Sequence, residues 1–313
     1  MKIGFLFPGQ GAQFVGMGKD LYEHLPAARK IFDQADTVVG YSLTRLCFEG
    51  PEEELTRTLY AQPAIYTVSI AMLKALEEKY PALKPAWTAG LSLGEFSALT
   101  AAGVFGFEDG LRLVVSRAQA MEDAAKQRPG TMASILGLAQ KDCESLAAEA
   151  GCEVANLNTP EQIVLSGSVE TIQKACALAE ERGAKRAIPL KVGGAFHSTL
   201  MESARQDLEK AIGRVSFKAP ACVFVPNAEP RAVSCPLEIQ RLLAKQLTSP
   251  VRWVETMRQA QGSGFLHYLE IGPGKVLKGL AKKCQPSLQI FPCGAVKDLE
   301  ELEKTLLTEK IVR

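Results

Sequence analysis

A serine flanked by two glycines, each two residues away, places the strongest local constraint on how this 313-residue chain folds. In the segment AGLSLGEFSAL, Ser92 follows the strand-like run AWTA and precedes a helix-like run that ends near Gly103. Glycines at this spacing leave room for a tight strand-to-helix turn whose tip projects a hydroxyl group, the geometry of a nucleophile elbow. The pattern also fits an ordinary turn rich in small residues. Ser92 is therefore a candidate nucleophile, and its neighbourhood predicts an α/β fold.

Strands alternate with helices on both sides of the middle of the chain. Strands are predicted at KIGFLF, AWTA, residues 223–225 and FLHYLEI. Helices are predicted at residues 21–39, 62–80, 93–102, 108–126, 199–212, 237–247, 251–261 and 276–283. This alternation indicates an α/β core with a mainly parallel sheet.

The middle of the chain has a different rhythm. Strands are predicted at residues 131–136, 154–158, 162–166 and 187–192, with helices at 142–150 and 169–182. The resulting βαββαβ order is that of a ferredoxin-like unit. We expect a small subdomain at residues 128–192, inserted into a catalytic core formed by 1–127 and 193–313.

Composition narrows the class of protein. The 36 basic and 35 acidic residues nearly cancel and form no charge block, which argues against a nucleic-acid or membrane surface. The first apolar run is too short for a signal peptide, and no later segment approaches the length of a membrane span. The chain has eight scattered cysteines without a C-x-x-C pair and only three histidines, so the sequence contains no ligand spacing typical of a zinc site. We expect a cytoplasmic protein with free thiols.

A serine needs a base to take its proton, and histidine is the usual partner. His24 lies at a predicted helix end before a proline, where a solvated imidazole is the favoured interpretation. His267 alternates with apolar neighbours in a predicted strand, which favours a packed role. His197, in VGGAFHSTLM, follows a two-glycine loop and precedes a helix, whose amino end would keep the imidazole neutral. The alternative is that His197 only starts this helix beside Ser198.

Acyl chemistry also needs donors for the oxyanion. The N–H of Leu93, directly after Ser92, is one candidate, and the PGQG loop after the first strand could supply another. From spacing alone, a simple Pro-Gly turn is the better interpretation of PGQG. In GLRLVVSRAQAM an apolar stripe runs along a helix, and Arg117 falls on its shoulder, where it could simply reach water.

Four motifs taken in order carry a resemblance. LFPGQGAQFVGMG, GLSLGEFSAL, GAFHS and LEIGPGKVL together resemble the malonyl-CoA:acyl carrier protein transacylases and the acyltransferase domains of polyketide synthases. The likeness runs nearly end to end and implies an α/β-hydrolase-like core that carries the ferredoxin-like insertion.

The resemblance implies a role for each matching residue. Ser92 corresponds to the acyl-carrying nucleophile and His197 to the general base and acid. The backbone N–H groups of Gln10 and Leu93 match the positions that form the oxyanion hole. The side chain of Arg117 matches the arginine that binds the malonyl carboxylate. The backbone carbonyl of Gln246 matches the one that orients the histidine. Asn156 and Asn158, in NLN, match polar positions of the small subdomain, to which we assign no catalytic role.

One position departs from the family pattern. Leu91 stands where the residue before the nucleophile is usually histidine, which puts in doubt any polar contact made there near the acyl group. Phe196 and Ser198, on either side of His197, resemble the malonyl-selective form of the family's FHS signature and are expected to contact substrate.

The resemblance thus implies a ping-pong transfer of malonyl from malonyl-CoA, through Ser92, to the phosphopantetheine thiol of an acyl carrier protein. No metal or redox cofactor is expected, and the protein is expected to be a monomer. Two other hypotheses remain. A serine hydrolase would use the same elbow with His267 as base and water as acceptor, and a carrier-docking subunit would have no activity.

Overall fold

A computed structural model describes residues 3–308, which form nine strands and fourteen α-helices. Lys2 of the predicted first strand and both ends of the predicted core, residues 1–2 and 309–313, lie outside the described residues. In chain order the strands are β1 (Ile3–Phe7), β2 (Pro85–Gly90), β3 (Thr131–Leu136), β4 (Glu153–Thr159), β5 (Gln162–Gly167), β6 (Arg186–Pro189), β7 (Val223–Phe224), β8 (His267–Ile271) and β9 (Gln289–Cys293).

Helices surround the strands. They are α1 (Lys19–His24), α2 (Pro26–Val39), α3 (Leu43–Glu49), α4 (Glu52–Thr56), α5 (Thr58–Lys79), α6 (Gly94–Ala101), α7 (Phe107–Gln127), α8 (Gln140–Ala150), α9 (Val169–Glu181), α10 (Glu202–Ile212), α11 (Pro236–Lys245), α12 (Trp253–Gly262), α13 (Val276–Cys284) and α14 (Val296–Thr308). Two 3₁₀ turns, Thr199–Met201 and Gln246–Thr248, precede α10 and follow α11.

The larger sheet is parallel, with the strand order β7-β2-β1-β8-β9. All five residues of β1 are buried, as expected of an apolar run covered by helices on both faces. Gly4 in β1 pairs with Trp87 on one side and Tyr268 on the other. A Cβ at Gly4 would overlap the Tyr268 ring, so this glycine lets the two aromatic rings pack edge to face at 5.5 Å.

Parallel pairing of β1 and β2 brings two loops together at the carboxyl edge of the sheet. The loop after β1 contains Gln10, and the turn after β2 contains Ser92. The N–H of Leu91 donates to the carbonyl of Phe7 at 3.0 Å and ties the two loops to each other. Open α/β sheets characteristically bind ligands beyond the carboxyl ends of their strands.

The middle of the chain forms a separate antiparallel sheet with the strand order β4-β5-β3-β6. Its elements follow the predicted strand and helix order, and α8 and α9 pack against it through their own apolar cluster, which includes Leu146, Leu165 and Ile172. Backbone hydrogen bonds join this sheet to the core, because Val251 donates to the carbonyl of Ala155 and accepts from the N–H of Leu157.

The prediction of an α/β fold with a mainly parallel sheet is confirmed, but several boundaries were wrong. The helix predicted at 21–39 is two helices, because Leu25 is extended before Pro26 at the first position of α2. The strand predicted at 187–192 ends at Pro189. β9 was not predicted; it contains Pro292 and lies at the sheet edge, where proline is tolerated. The short helices α3 and α4 and the last helix, α14, were also missed.

Candidate active site

Ser92 lies at the tip of a sharp turn between β2 and α6. Its φ of 50° is in the left-handed region, which is uncommon for a residue other than glycine. The flanking glycines are required by close approach: a Cβ at Gly90 would overlap the backbone of Gly94, and one at Gly94 would overlap the carbonyl of Phe7. The elbow geometry inferred from the spacing is therefore present.

Asn227 holds this strained turn in place. Its Oδ1 accepts from the N–H of Ser92 at 2.6 Å, and its Nδ2 donates to the carbonyl of Gly90 at 2.7 Å. Its own N–H donates to the Oε1 of Glu95 at 2.8 Å. The sequence hypothesis assigned no role to Asn227 or Glu95. The available signal was the position of Asn227, a polar residue shortly after β7, the strand that pairs with β2.

His197 is positioned to act on Ser92. Its Nε2 lies 2.8 Å from the Ser92 Oγ, and its Nδ1 lies 2.9 Å from the backbone carbonyl of Gln246. A carbonyl oxygen only accepts, so Nδ1 carries the proton and Nε2 is the free acceptor for the serine hydroxyl. The fold thus fixes the imidazole in the tautomer that a general base requires.

Burial keeps this imidazole neutral. Burial, the larger cause, and the positive charge of Arg117 together lower the pKa of His197 to about 4, against the opposing effect of backbone hydrogen bonds with Gln246 and Ser249. The sequence argument attributed neutrality to the amino end of the following helix; in the structure burial and the charge of Arg117 are the main causes, and a 3₁₀ turn lies between His197 and α10. Ser198 caps that turn, accepting from the N–H of Leu200 at 3.3 Å and donating to the carbonyl of Ala195 at 2.6 Å.

Arg117 is buried, with 1% of its surface exposed, which rules out the alternative that it reaches water from the shoulder of its helix. Its Nη1 donates to the Oε1 of Gln62 at 2.6 Å, and its Nη2 donates to the Ser92 Oγ at 2.9 Å. The guanidinium group also lies over the ring of Phe96, 5.7 Å from its centroid. Partners from α5 and α6 therefore replace water around the charge.

Gln246 connects these groups. Its Oε1 accepts from the Arg117 Nη2 at 3.0 Å, and its Nε2 donates to the backbone carbonyl of Ser92 at 2.9 Å and to the carboxylate of Glu95. The backbone carbonyl that meets His197 belongs to the same residue. Sequence reasoning anticipated only the backbone contact, because the side-chain partners lie far away along the chain.

Two backbone N–H groups near Ser92 are candidate oxyanion donors. Gln10 follows β1 and Leu93 begins the helical segment after Ser92, so both lie at the carboxyl edge of adjacent strands. Within residues 3–308, no oxygen accepts a hydrogen bond from the N–H of Gln10 or of Leu93. The side chain of Gln10 is turned away and donates to Thr58 at 3.2 Å.

A cavity of about 320 Å³ opens above Ser92. Its walls are largely apolar and come from both sheets and their loops. The residues that line it include Gln10, Leu91, Ser92, Arg117, Met121, Met132, Asn156, Asn158, Val164, Leu190, Val192, Phe196 and His197. Leu91 therefore presents an apolar side chain beside the nucleophile, and Ser198, also expected to contact substrate, is buried outside this lining.

The other two histidines are placed as the sequence suggested. His24 ends α1, and its Nδ1 lies 2.9 Å from the carbonyl of Asp20. His267 is buried in β8 and stacks on Phe291 with ring centroids 6.0 Å apart. Neither contacts Ser92, so the hydrolase hypothesis loses the base that it named.

Within residues 3–308, no group of three or more His, Cys, Asp or Glu side chains is arranged to hold a metal ion. No helix in the same range has the length and apolar character needed to cross a bilayer.

Comparison with known proteins agrees with the geometry. The acyl transferase domain family matches residues 4–296. The malonyl-CoA–acyl carrier protein transacylase of Bacillus subtilis is 44% identical, over 99% of this chain and 98% of the relative.

Solved structures agree as well. The acyl-carrier-protein S-malonyltransferase of Burkholderia pseudomallei superimposes with a TM-score of 0.93 at 39% identity, covering 97% of this chain and 100% of that one. A malonyl-transacylase solved in complex with its type II polyketide synthase acyl-carrier protein gives a TM-score of 0.94 at 35% identity, covering 97% and 100%. The resemblance inferred from four motifs is thus confirmed: the chain belongs to the family of acyl transferases that includes the malonyl-CoA–acyl carrier protein transacylases.

Proposed function

We propose that this enzyme transfers the malonyl group of malonyl-CoA to the phosphopantetheine thiol of an acyl carrier protein, in fatty acid or polyketide biosynthesis. The observation that carries the proposal is the contact of one hydroxyl group with both a neutral imidazole and a buried guanidinium. The first activates a nucleophile and the second matches a carboxylate. Full-length similarity to malonyl-CoA–acyl carrier protein transacylases supports the same assignment.

The first half-reaction acylates the serine. The Nε2 of His197 takes the proton of the Ser92 hydroxyl while Oγ attacks the thioester carbonyl carbon of malonyl-CoA. The C–S bond then breaks, and His197 returns its proton to the sulfur of the departing coenzyme A. The hydrogen bond from Nδ1 to Gln246 stabilises the imidazolium that exists between these two steps.

The oxyanion of the tetrahedral intermediate is held by backbone N–H groups. Gln10 and Leu93 supply them, since neither N–H has an acceptor among residues 3–308, Leu93 directly follows Ser92, and Gln10 lies in the loop after the neighbouring strand β1. Preorganised donors of this kind are worth about 3–4 kcal/mol each in acyl transfer.

Arg117 recognises the malonyl carboxylate. A guanidinium has five N–H donors, and three of them form hydrogen bonds, to Gln62, Gln246 and Ser92. Once Ser92 Oγ becomes an ester oxygen it is a weaker acceptor, so the Nη2–H aimed at it becomes available to the carboxylate of the same malonyl group. Arg117 thus donates to the hydroxyl of free Ser92 and, after acylation, to the carboxylate of the malonyl ester.

The second half-reaction reverses the first with a different thiol. The phosphopantetheine thiol gives its proton to His197 and attacks the malonyl ester, and the Ser92 Oγ takes the proton back as the C–O bond breaks. Phe196, in the cavity wall, is proposed to contact the substrate. Coenzyme A and phosphopantetheine enter as parts of the substrates, and the chemistry needs no separate cofactor.

For the architecture, we propose an α/β-hydrolase-like core of residues 1–127 and 193–313 with a ferredoxin-like subdomain at 128–192. The separate antiparallel sheet and its separate apolar cluster support this division. Eight unpaired cysteines support the expectation of a reducing cytoplasm. The monomeric state stays a prediction.

The acidity of His197 offers a test of its coupling to Arg117. The imidazole must be neutral to accept a proton, and a pKa of about 4 means that acylation is lost only as the pH falls through that region. In Arg117→Leu the repelling charge is gone, so the pKa of His197 should rise and the acid limb should move to higher pH. NMR titration of the His197 ring checks this, with Arg112→Leu on the exposed face of α7 as the control. An unchanged pKa in Arg117→Leu contradicts the coupling.

The fate of the malonyl group distinguishes transfer from hydrolysis. The enzyme is loaded with radiolabelled malonyl-CoA, freed of excess substrate and mixed with the phosphopantetheinylated carrier or with buffer alone. We expect the label to move to the carrier and little free malonate to form in buffer. Rapid release of malonate without transfer would favour the hydrolase, and absence of any labelled enzyme would favour an inactive docking subunit.

A further inference from the structure

Glu95 is a fully buried carboxylate that does not line the cavity above Ser92. It lies in the first turn of α6, and both of its oxygens are occupied. Oε1 accepts from the N–H of Asn227 at 2.8 Å, and Oε2 accepts from the side-chain Nε2 of Gln246. Burying a carboxylate is unfavourable unless it is well paired, so a carboxylate retained at this place calls for an explanation.

The carboxylate determines which way the Gln246 amide points. With Nε2 donating to Glu95 and to the Ser92 carbonyl, Oε1 is left to accept from Arg117. In the flipped orientation Oε1 would face two acceptors, and the amide NH₂ would face the guanidinium. An amide has two donors and one acceptor, so only one orientation satisfies all three neighbours.

Gln246 contacts two parts of the proposed machinery, and its contact with Arg117 depends on this orientation. The Gln246 side chain holds the Nη2 of Arg117, the nitrogen that also contacts Ser92, and its backbone carbonyl holds the Nδ1 of His197. Both Glu95 oxygens accept hydrogen bonds, which fits the ionised form, although burial raises the pKa of Glu95 to about 8 against the opposing effects of the Asn227 N–H and of the Arg117 charge. Gln246 also lies between Glu95 and Arg117. A direct ion pair between Glu95 and Arg117 would occupy the guanidinium that has to receive the substrate carboxylate. With the Gln246 amide between them, Glu95 still attracts the guanidinium but does not contact it.

We propose that Glu95 is a positioning residue that fixes the Gln246 amide and thereby aims Arg117 at the malonyl carboxylate. This inference rests on the proposed function and deepens it. Selectivity for malonyl over an uncharged acyl group then depends on a residue that never touches the substrate.

Glu95→Gln tests the inference, because it keeps the shape and lets the Gln246 amide adopt both orientations. The readout is the ratio of acylation kcat/KM for malonyl-CoA to that for acetyl-CoA. We expect this ratio to fall about tenfold, the worth of a charge-assisted hydrogen bond, while acylation by acetyl-CoA changes less. The matched control is Glu270→Gln, a buried carboxylate that accepts the N–H groups of Leu277 and Lys278 and does not line the cavity.

The pathway of the effect is tested with Gln246→Met. Because Glu95 acts through this amide, the double variant with Glu95→Gln should lose no more selectivity than Gln246→Met alone. If Glu95→Gln does not fold, Gln246→Met carries the test, and its malonyl to acetyl ratio should fall by the same factor. An unchanged ratio, or additive losses in the double variant, overturns the inference. A parent enzyme that forms no malonyl ester overturns the proposed function instead.

Discussion

Replacing Ser92 with alanine is expected to lower malonyl transfer to the carrier protein by at least about a thousandfold. Among residues 3–308, no other cavity atom forms hydrogen bonds with both His197 and Arg117, so no neighbour can take over the covalent step. The backbone donors and the cavity remain, so the variant should still bind malonyl-CoA. Single-turnover transfer, measured with the labelled substrate, checks the loss.

The matched control for this variant is Ser97→Ala. Ser97 is also buried in the segment that follows the turn, and its hydroxyl has no hydrogen-bond partner, so its removal should leave transfer nearly unchanged. A Ser92→Ala enzyme that transfers malonyl at a rate near that of the parent would contradict the role assigned to Ser92.

Replacing Arg117 with alanine is expected to reduce acylation by malonyl-CoA by about ten- to a hundredfold while acylation by acetyl-CoA is retained. Losing a charged hydrogen-bond partner costs about 1.5–3 kcal/mol, which corresponds to this range. Acetyl-CoA has no carboxylate, so its acylation rate does not depend on a contact with Arg117. Acylation rates with the two thioesters are compared at a pH well above the pKa of His197, so that the base is neutral in both enzymes.

One stability measurement and one further variant separate recognition from damage to the fold. Arg117→Ala leaves the buried amide oxygens of Gln62 and Gln246 without their donor, so its thermal unfolding has to be measured alongside its rates. Arg117→Lys keeps the charge but offers a point charge in place of a planar fork, and should give an intermediate preference for malonyl. If Arg117→Ala discriminates between the two thioesters as strongly as the parent does, Arg117 does not recognise the malonyl carboxylate.

Local sequence patterns predicted the parts of the site that are built locally. The turn at Ser92 is specified within five residues, since a strand, two glycines and a helix leave little choice of geometry. His197 was found because only three histidines exist and the other two had packed or solvated settings. The general α/β arrangement followed from the alternation of strands and helices.

The network behind the nucleophile could not be predicted in this way, because its partners come from distant segments. Asn227 meets Ser92 across 135 positions, and Gln246 meets Glu95 across 151. The burial of Arg117 has the same origin: its helix pattern places it at an edge, and only the glutamines of two other elements make a buried guanidinium tolerable. Of these residues, only Arg117 and the backbone of Gln246 were anticipated, and only through the resemblance.

The central claim is that Ser92 becomes a malonyl ester, and mass spectrometry of the intact protein tests it most directly. After brief incubation with malonyl-CoA and no carrier, the account predicts a mass increase of one malonyl group, located by peptide mapping in the segment that contains Ser92 and absent from Ser92→Ala. Addition of the phosphopantetheinylated carrier should remove the group. A malonyl adduct of equal occupancy in Ser92→Ala, or located on any other residue, would contradict the account.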